Sequence, residues 1–431
     1  MNHLQCRRGA GSQKKGKYAG CGKSSCLAQL NPGRNHEEMT NGNGNKITFF
    51  ARTNFRYSHR LFGIRKADRR AHMYIIGKTG TGKSTLMETL MLQDMAAGHG
   101  FGLLDPHGDL LERVLAKVPE QRKEDLIYFN VPDAAHQLGF NPLENVPPAK
   151  RPLAASGLLE VFKKIWAEFW GPRSEHIFRN ALLALLDQPE ATLADVLRLL
   201  DDATYRKHAV ARVSNSQVRD FWLREYEKYP ARFRAEATAP IQNKVGAFLA
   251  NPVLSHIITQ PKSTFDLRNV MDEGKILLVN LAKGKIGEDA SALLGAMLVA
   301  KIGLTALSRA DVSESERKDF FVYLDEFQTF TTLSLANMLS ELRKYRANLI
   351  LSHQYLFQVD EAVRHAILGN VGTIIAFRVG PADAEILAKE FYPEFKPRDL
   401  MNLCNYHIYL KLMIEGKVTA PFSAETVPPS G

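Results

Sequence analysis

The chain is poor in the features that define several protein classes. Four cysteines in 431 residues are too few for a disulfide scaffold and suit a reducing compartment. No uncharged apolar run approaches the ~18 residues that a membrane span needs. The best candidate, Ala290–Ala300, meets Lys301 after 11 residues. The basic N-terminal stretch has no apolar segment behind it, which excludes the pattern of a secretory signal. Extreme compositions are missing too: 45% apolar and 24% charged residues exclude a fibrous or wholly disordered chain. These absences predict a cytoplasmic protein, at most peripheral to the inner membrane, with two to three domains of ordinary size.

What the chain does have is positive charge, +10 in all. A basic balance points to nucleic acid, but its distribution matters more than its size. Residues 1–70 hold 15 Lys/Arg against 3 Asp/Glu, so the net charge of residues 71–431 is −2. Residues 1–45, rich in Gly, Asn, Ser, Lys and Arg without helical or strand period, read as a basic, disordered arm. Cys6, Cys21 and Cys26 with His3 or His36 could make a zinc set, but no C-x2-C pair supports one. Cys404 reads as a core thiol.

From His72 onward, short apolar runs alternate with helical stretches. The runs are His72–Gly77, Phe101–Asp105, Asp125–Asn130, Lys275–Leu281, Asp319–Glu326, Asn348–Gln354, Thr373–Val379 and His407–Ile414. Most are near-continuous hydrophobics, as expected of strands buried on both faces of a mostly parallel sheet. Helices are predicted over Ser84–Ala97, Ser291–Ser308 and Leu333–Arg346 among others, so the fold class is α/β. Between residues 152 and 261 the strand signal vanishes. Leu158, Phe162, Ile165 and Phe169 share one helical face, Ile177, Ala181 and Leu185 another, and Thr192 with Asp195 reads as a capping box. Trp166, Trp170 and Trp222 all fall in this segment, at spacings that predict core positions. The expected organisation is the arm 1–45, a sheet domain in two parts, 46–151 and 262–431, and an inserted all-α domain, 152–261.

Gly77-Lys78-Thr79-Gly80-Thr81-Gly82-Lys83-Ser84, followed by Thr85, fits G-x-x-x-x-G-K-[ST] between a strand and a helix. In such a loop backbone N–H groups wrap the phosphates of a nucleotide. Lys83 would neutralise the β/γ-phosphates, and the Ser84 hydroxyl would ligate Mg2+. Gly22-Lys23-Ser24 lacks both the first glycine and the strand and is a decoy. A second apolar run ends in Asp325-Glu326, fitting a Mg2+ ligand, through water, and a general base for the attacking water. Gln354 ends the Asn348 run and is a candidate γ-phosphate sensor, a plain loop glutamine being the alternative. Asp105, in Asp-Pro-His-Gly-Asp, is a second-tier site candidate with turn formation as the equal reading. Lys283-Gly284-Lys285 offers either phosphate contacts to DNA or an ordinary solvated turn.

Taken in order, the P-loop, Asp105-Pro-His-Gly-Asp, Ile127-Tyr-Phe-Asn, Gly139-Phe-Asn-Pro-Leu, Ile276-Leu-Leu-Val-Asn-Leu-Ala-Lys-Gly-Lys-Ile-Gly, Tyr323-Leu-Asp-Glu-Phe-Gln and Arg343-Lys-Tyr-Arg-Ala-Asn-Leu-Ile-Leu-Ser-His-Gln resemble the HerA–FtsK superfamily of RecA-like ATPases. Within it, residues 60–427 are similar to the coupling proteins of conjugation and type IV secretion. The resemblance implies a RecA-like P-loop ATPase with an inserted all-α domain, assembled as a homo-hexamer that draws DNA through a central channel. It implies an arginine finger upstream of the sensor glutamine. Arg343, 11 positions before Gln354, fits that place, with Arg378 in reserve and a solvated helix face as the bland reading of Arg343. Implied partners are DNA and a relaxase, nuclease or secretion-channel protein. The sequence departs from the pattern in lacking N-terminal membrane helices and in placing His353 where small residues are commoner. Rival readings are a motor for protein secretion-system assembly, a helicase-like relative working with a nuclease, and a nucleotide-gated adaptor with little turnover.

Overall fold

A computed structural model describes residues 46–55, 59–136, 138–166 and 170–429. The basic arm 1–45, with the candidate zinc ligands and the decoy loop, lies outside the described residues, as does Phe169.

Thirteen strands appear among the described residues: β1 (Ile47–Thr53), β2 (Leu61–Arg65), β3 (Met73–Ile76), β4 (Gly100–Asp105), β5 (Leu126–Asn130), β6 (Ile276–Asn280), β7 (Phe320–Leu324), β8 (Ala347–His353), β9 (Thr373–Ala376), β10 (His407–Lys411), β11 (Met413–Ile414), β12 (Lys417–Val418) and β13 (Phe422–Thr426). Eleven form one sheet in the order β2-β1-β13-β10-β9-β3-β8-β7-β4-β6-β5, and β11 with β12 makes a small hairpin. The seven strands from β9 to β5 run parallel. The four at the other end are antiparallel.

Side chains of a strand alternate between faces, and here both faces of the parallel half are covered. Met73, Ile75, Leu103, Leu278, Tyr323 and Ile350 pack under the P-loop helix (Lys83–Ala96) and the helix Asp109–Leu115. Tyr74, Ile76, Leu104, Val279, Leu324 and Leu351 face the other way, toward Glu288–Ser308 and Leu333–Leu342. Hence every position of β3, β4, β6, β7, β8 and β9 is buried, and the runs read as continuous hydrophobics. The antiparallel strands alternate instead, as β10 does.

Between β5 and β6 the described chain contains no strand. Helices Arg151–Ile165, Pro172–Leu186, Asp195–Asp201, Ala203–Ala211, Ala231–Leu249 and Pro252–Ile258 are its main elements. Their apolar side chains are continuous with those on the second face of the sheet. Trp222 is fully buried there, and Trp166 and Trp170 pack against the same core. The Asp195 carboxylate accepts from Thr192 N–H (2.9 Å) and Oγ1 (3.2 Å), the return half of a capping box.

One helical stretch among the described residues, Glu288–Asp311, is long and apolar enough to cross a bilayer, and 78% of its apolar window is buried within the fold. The charge that interrupts this stretch is buried as well: Lys301 Nζ donates to the carbonyls of Glu144 and Pro142. Burial draws that ammonium down to about 8, against the pull of Glu144 and Asp266. Cys404, expected in the core, is half-buried in the connection before β10, where the chain turns at the surface.

Candidate functional site

In a parallel sheet the loops following the strands meet along one edge. Along that edge β8 lies between β3 and β7, so the segments after these three strands are neighbours: the P-loop, Asp325-Glu326 and Gln354.

The P-loop leaves β3 at Gly77, whose N–H donates to His353 O (3.3 Å), while Lys78 N–H donates to Arg378 O (2.9 Å). Gly77 has no room for a side chain, since a Cβ there would lie 2.5 Å from Phe377 Cβ. Gly80 and Gly82 take left-handed backbones, φ 75° and 120°, which turn the loop into the helix. Lys78, Thr79 and Gly80 are exposed, Thr81 is buried, and Ser84 and Thr85 sit half-buried in the first helical turn. Lys83 is buried, and its ammonium donates to Gly77 O (2.7 Å) and Lys78 O (3.3 Å). Burial lowers its pKa, opposed by Glu326 and Asp325.

Asp325 and Glu326 are both buried. Burial, then Asp105 and Glu326, push the Asp325 carboxyl up to about 6. Glu326 has a left-handed backbone, φ 46°, uncommon for a residue with a side chain. Its two carboxylate oxygens are gripped from opposite sides. Gln354 Nε2 donates to Oε1 (2.8 Å), and Gln328 Nε2 donates to Oε2 (2.7 Å). The candidate sensor and the candidate base are therefore in direct contact.

His353 points into the core, with Nε2 hydrogen-bonded to Tyr74 Oη and its ring 4.6 Å from that of Phe327. Burial, reinforced by Lys83, lowers its pKa to about 3, so it stays neutral. Asp105 is fully buried and accepts from His107 N–H (2.8 Å) and Leu111 N–H (3.0 Å). Its oxygens thus shape the turn and the start of the helix Asp109–Leu115, while its charge is felt at Asp325.

The remaining candidates lie apart. Arg343 follows the helix Leu333–Leu342 in a single 3-10 turn, so the helix predicted to reach Arg346 ends earlier. It is exposed, and its guanidinium makes no ion pair among the described residues. The seven residues of β8, about 23 Å of strand, separate it from Gln354. Arg378 instead flanks the P-loop of its own chain, donating to Leu403 O (3.1 Å) and Asn405 Oδ1 (3.0 Å). Lys283 and Lys285 lie after β6 in one helical turn, Lys283–Ile286, rather than an open loop. Lys283 is half-buried and Lys285 exposed.

Two residues escaped the sequence reading. Gln328 follows Glu326 by two positions, and that spacing within Asp-Glu-Phe-Gln was its only signal. Tyr406, in the turn before β10, donates its N–H to Thr81 O (2.8 Å) and carried no local signal at all.

No curated protein matches the chain. Among solved structures, the bacterial conjugative coupling protein TrwBdeltaN70 aligns with TM-score 0.61 and 15% identity, over 85% of this chain and 87% of that one. The plasmid coupling protein TrwB in complex with ADP and Mg2+ aligns with TM-score 0.60 and 18% identity, over 86% and 87%. VirB4 of Thermoanaerobacter pseudethanolicus aligns with TM-score 0.59 and 13% identity, over 91% and 97%. These likenesses establish the RecA-like P-loop fold. The family model described as the type IV secretion-system coupling protein DNA-binding domain matches residues 56–391, and the chain belongs to that family.

Proposed function

We propose that the protein hydrolyses ATP with Mg2+ and uses the energy to translocate DNA, working as a homo-hexameric ring in conjugation or type IV secretion. The observation that carries the hydrolytic part is the line Gln328–Glu326–Gln354 beside the P-loop lysine. It holds a buried carboxylate at fixed orientation on the sheet edge where a γ-phosphate would end. Glu326 takes the proton of the attacking water, and Gln354 couples that carboxylate to the strand next to the P-loop. Lys83 would exchange its two loop carbonyls for phosphate oxygens.

The donors suit Mg2+. Ser84 and Asp325 offer oxygen only, and among the described residues no group of three or more His, Cys, Asp or Glu could hold a metal unaided. Mg2+ is commonly bound by one or two protein oxygens, with phosphates and water completing its shell. The raised Asp325 fits as well, since a neighbouring cation restores its charged form. When bound, the ion neutralises charge on the β/γ-phosphates.

Family membership supports DNA as the substrate, and the near-neutral body calls for a few placed cations rather than a basic exterior. Lys283 and Lys285 on the strand-end edge are the proposed contacts, made to phosphates without base readout. Arg343, distant from its own P-loop, serves the neighbouring subunit. Residues 152–261 act as the all-α domain, the site of action is the cytoplasm, and a relaxase or secretion-channel protein is the expected partner.

Purified Glu326→Gln should bind ATP while losing about 100-fold or more of its turnover. DNA should stimulate the parent, and Lys283→Ala with Lys285→Ala should reduce that stimulation more than basal turnover. Parental turnover in Glu326→Gln removes the base. A parent indifferent to DNA favours a protein-moving motor, and a parental rate near background favours a nucleotide-gated adaptor.

A further inference from the structure

Tyr406 is an anomaly at the site. Its backbone is left-handed, φ 67°, where a bulky side chain is disfavoured, and the residue is 47% exposed. Three hydrogen bonds hold it there: Tyr406 N–H to Thr81 O (2.8 Å), Thr426 N–H to Tyr406 O (2.8 Å) and Thr426 Oγ1 to Tyr406 O (3.1 Å). A Cβ on Gly82 would lie 2.9 Å from Tyr406 Cδ1, so the ring's edge abuts the phosphate loop. Asparagine or glycine would suit this turn better, and nothing in the core requires an aromatic ring at the surface.

Sheet order supplies a direction. Gln354 and Glu326 lie on the β8/β7 side of β3, so the γ-phosphate end of a P-loop nucleotide points that way. The nucleoside end must leave on the opposite side, toward β9 and β10, and Tyr406 stands at the start of β10. Of its two polar neighbours in sequence, Asn405 accepts from Arg378 through Oδ1, and His407 Nδ1 is hydrogen-bonded to Asn405 O.

We propose that the Tyr406 ring is the stacking platform for the base of the bound nucleotide. The proposal rests on the nucleotide-binding reading above. A π-face grips any base without reading its edge, so stacking by itself favours neither purine. The subsite therefore takes adenine and guanine nucleotides alike.

The test compares a non-hydrolysable ATP analogue, the corresponding GTP analogue and inorganic tripolyphosphate, each titrated with Mg2+ into the full chain. Tyr406→Ala should weaken both analogues roughly tenfold, within the range for loss of one stacked base, and leave tripolyphosphate at the parental affinity. Tyr406→Phe and Tyr406→Trp should keep parental affinity for all three. Equal losses for analogues and tripolyphosphate would show that Tyr406 only braces the P-loop, and unchanged analogue binding would remove the ring from the site. A parent that binds neither the analogues nor tripolyphosphate overturns the nucleotide reading itself, an outcome separate from either of these.

Discussion

Asp325 is charged only at a cost in the folded chain, because burial and the nearby Asp105 and Glu326 disfavour its anion. The consequence for stability has a definite sign. A carboxyl whose folded pKa, about 6, exceeds the ordinary 3.8 binds its proton more tightly when folded. Its favourable contribution is present at low pH and is lost as pH rises through the folded value. Thermal unfolding of the nucleotide-free protein should therefore show Asp325→Asn gaining on the parent between about pH 4 and pH 6, by at most about 3 kcal/mol. Mg2+ with ATP should shrink that gain, since it favours the charged parent. A gap that stays constant across this window contradicts the account. His353 makes the complementary point about legibility. Beside Gln354 it looked like a change in the sensing position, yet its ring fills the space between Tyr74 and Phe327. Adjacent residues of a strand face opposite ways, and which of them meets the core depends on packing that the local sequence does not state.

The elements are coupled by a buried polar cluster that spacing alone could not reveal. Arg69 donates to both oxygens of Asp94 (2.6 and 2.9 Å) and to Tyr323 Oη (2.7 Å), and Tyr323 donates to Asp94 (2.5 Å). Asp94 belongs to the P-loop helix and Tyr323 to the strand that carries Asp325, so the cluster fixes one against the other. Burial alone would raise the Asp94 pKa, but the Arg69 charge and its hydrogen-bond donors hold it below the ordinary value. Asp94→Ala leaves a buried guanidinium unpaired and should cost about 3–5 kcal/mol, whereas Tyr323→Phe should cost about 1 kcal/mol. Chemical denaturation separates them, and a loss below that of Tyr323→Phe in Asp94→Ala would rule out the coupling. All eight anticipated runs contain strands, and six of them, β3, β4 and β6 to β9, were legible because burial on two faces leaves an unbroken apolar signature. β1, β2 and β13 were missed because half-exposed strands of five to seven residues leave only a brief alternation. The P-loop and the Asp-Glu pair were legible for a different reason: phosphate and metal chemistry restrict residue type at consecutive positions. Tyr406 and the Arg69 cluster depend on chain segments brought together only by the sheet order.

At the scale of the whole molecule, the proposed role of Arg343 requires a second subunit. The arginine stands at the start of β8, with Glu326 and Gln354 across the sheet at the other end, too far to act on its own nucleotide. Arg343 is exposed there beside Lys344, with no carboxylate paired to it among the described residues. The proposed ring would have to bring the start of β8 of one subunit to the phosphate edge of the next, and a head-to-tail interface repeated around an axis closes such a ring. The prediction follows from mixing two inactive proteins. Lys83→Ala lacks a working phosphate loop but retains Arg343, and Arg343→Ala has the reverse defect. Where an Arg343→Ala P-loop meets the arginine of a Lys83→Ala neighbour, one complete site forms. Random assembly of equal amounts makes such junctions about a quarter of the total. ATPase activity should therefore be near background for each protein alone and rise on mixing toward about a quarter of the parental rate. It should track the mass of the assembled ring in solution. Activity that stays at background in a mixture of assembled rings places the arginine's action elsewhere, and an Arg343→Ala protein with parental turnover removes its role altogether.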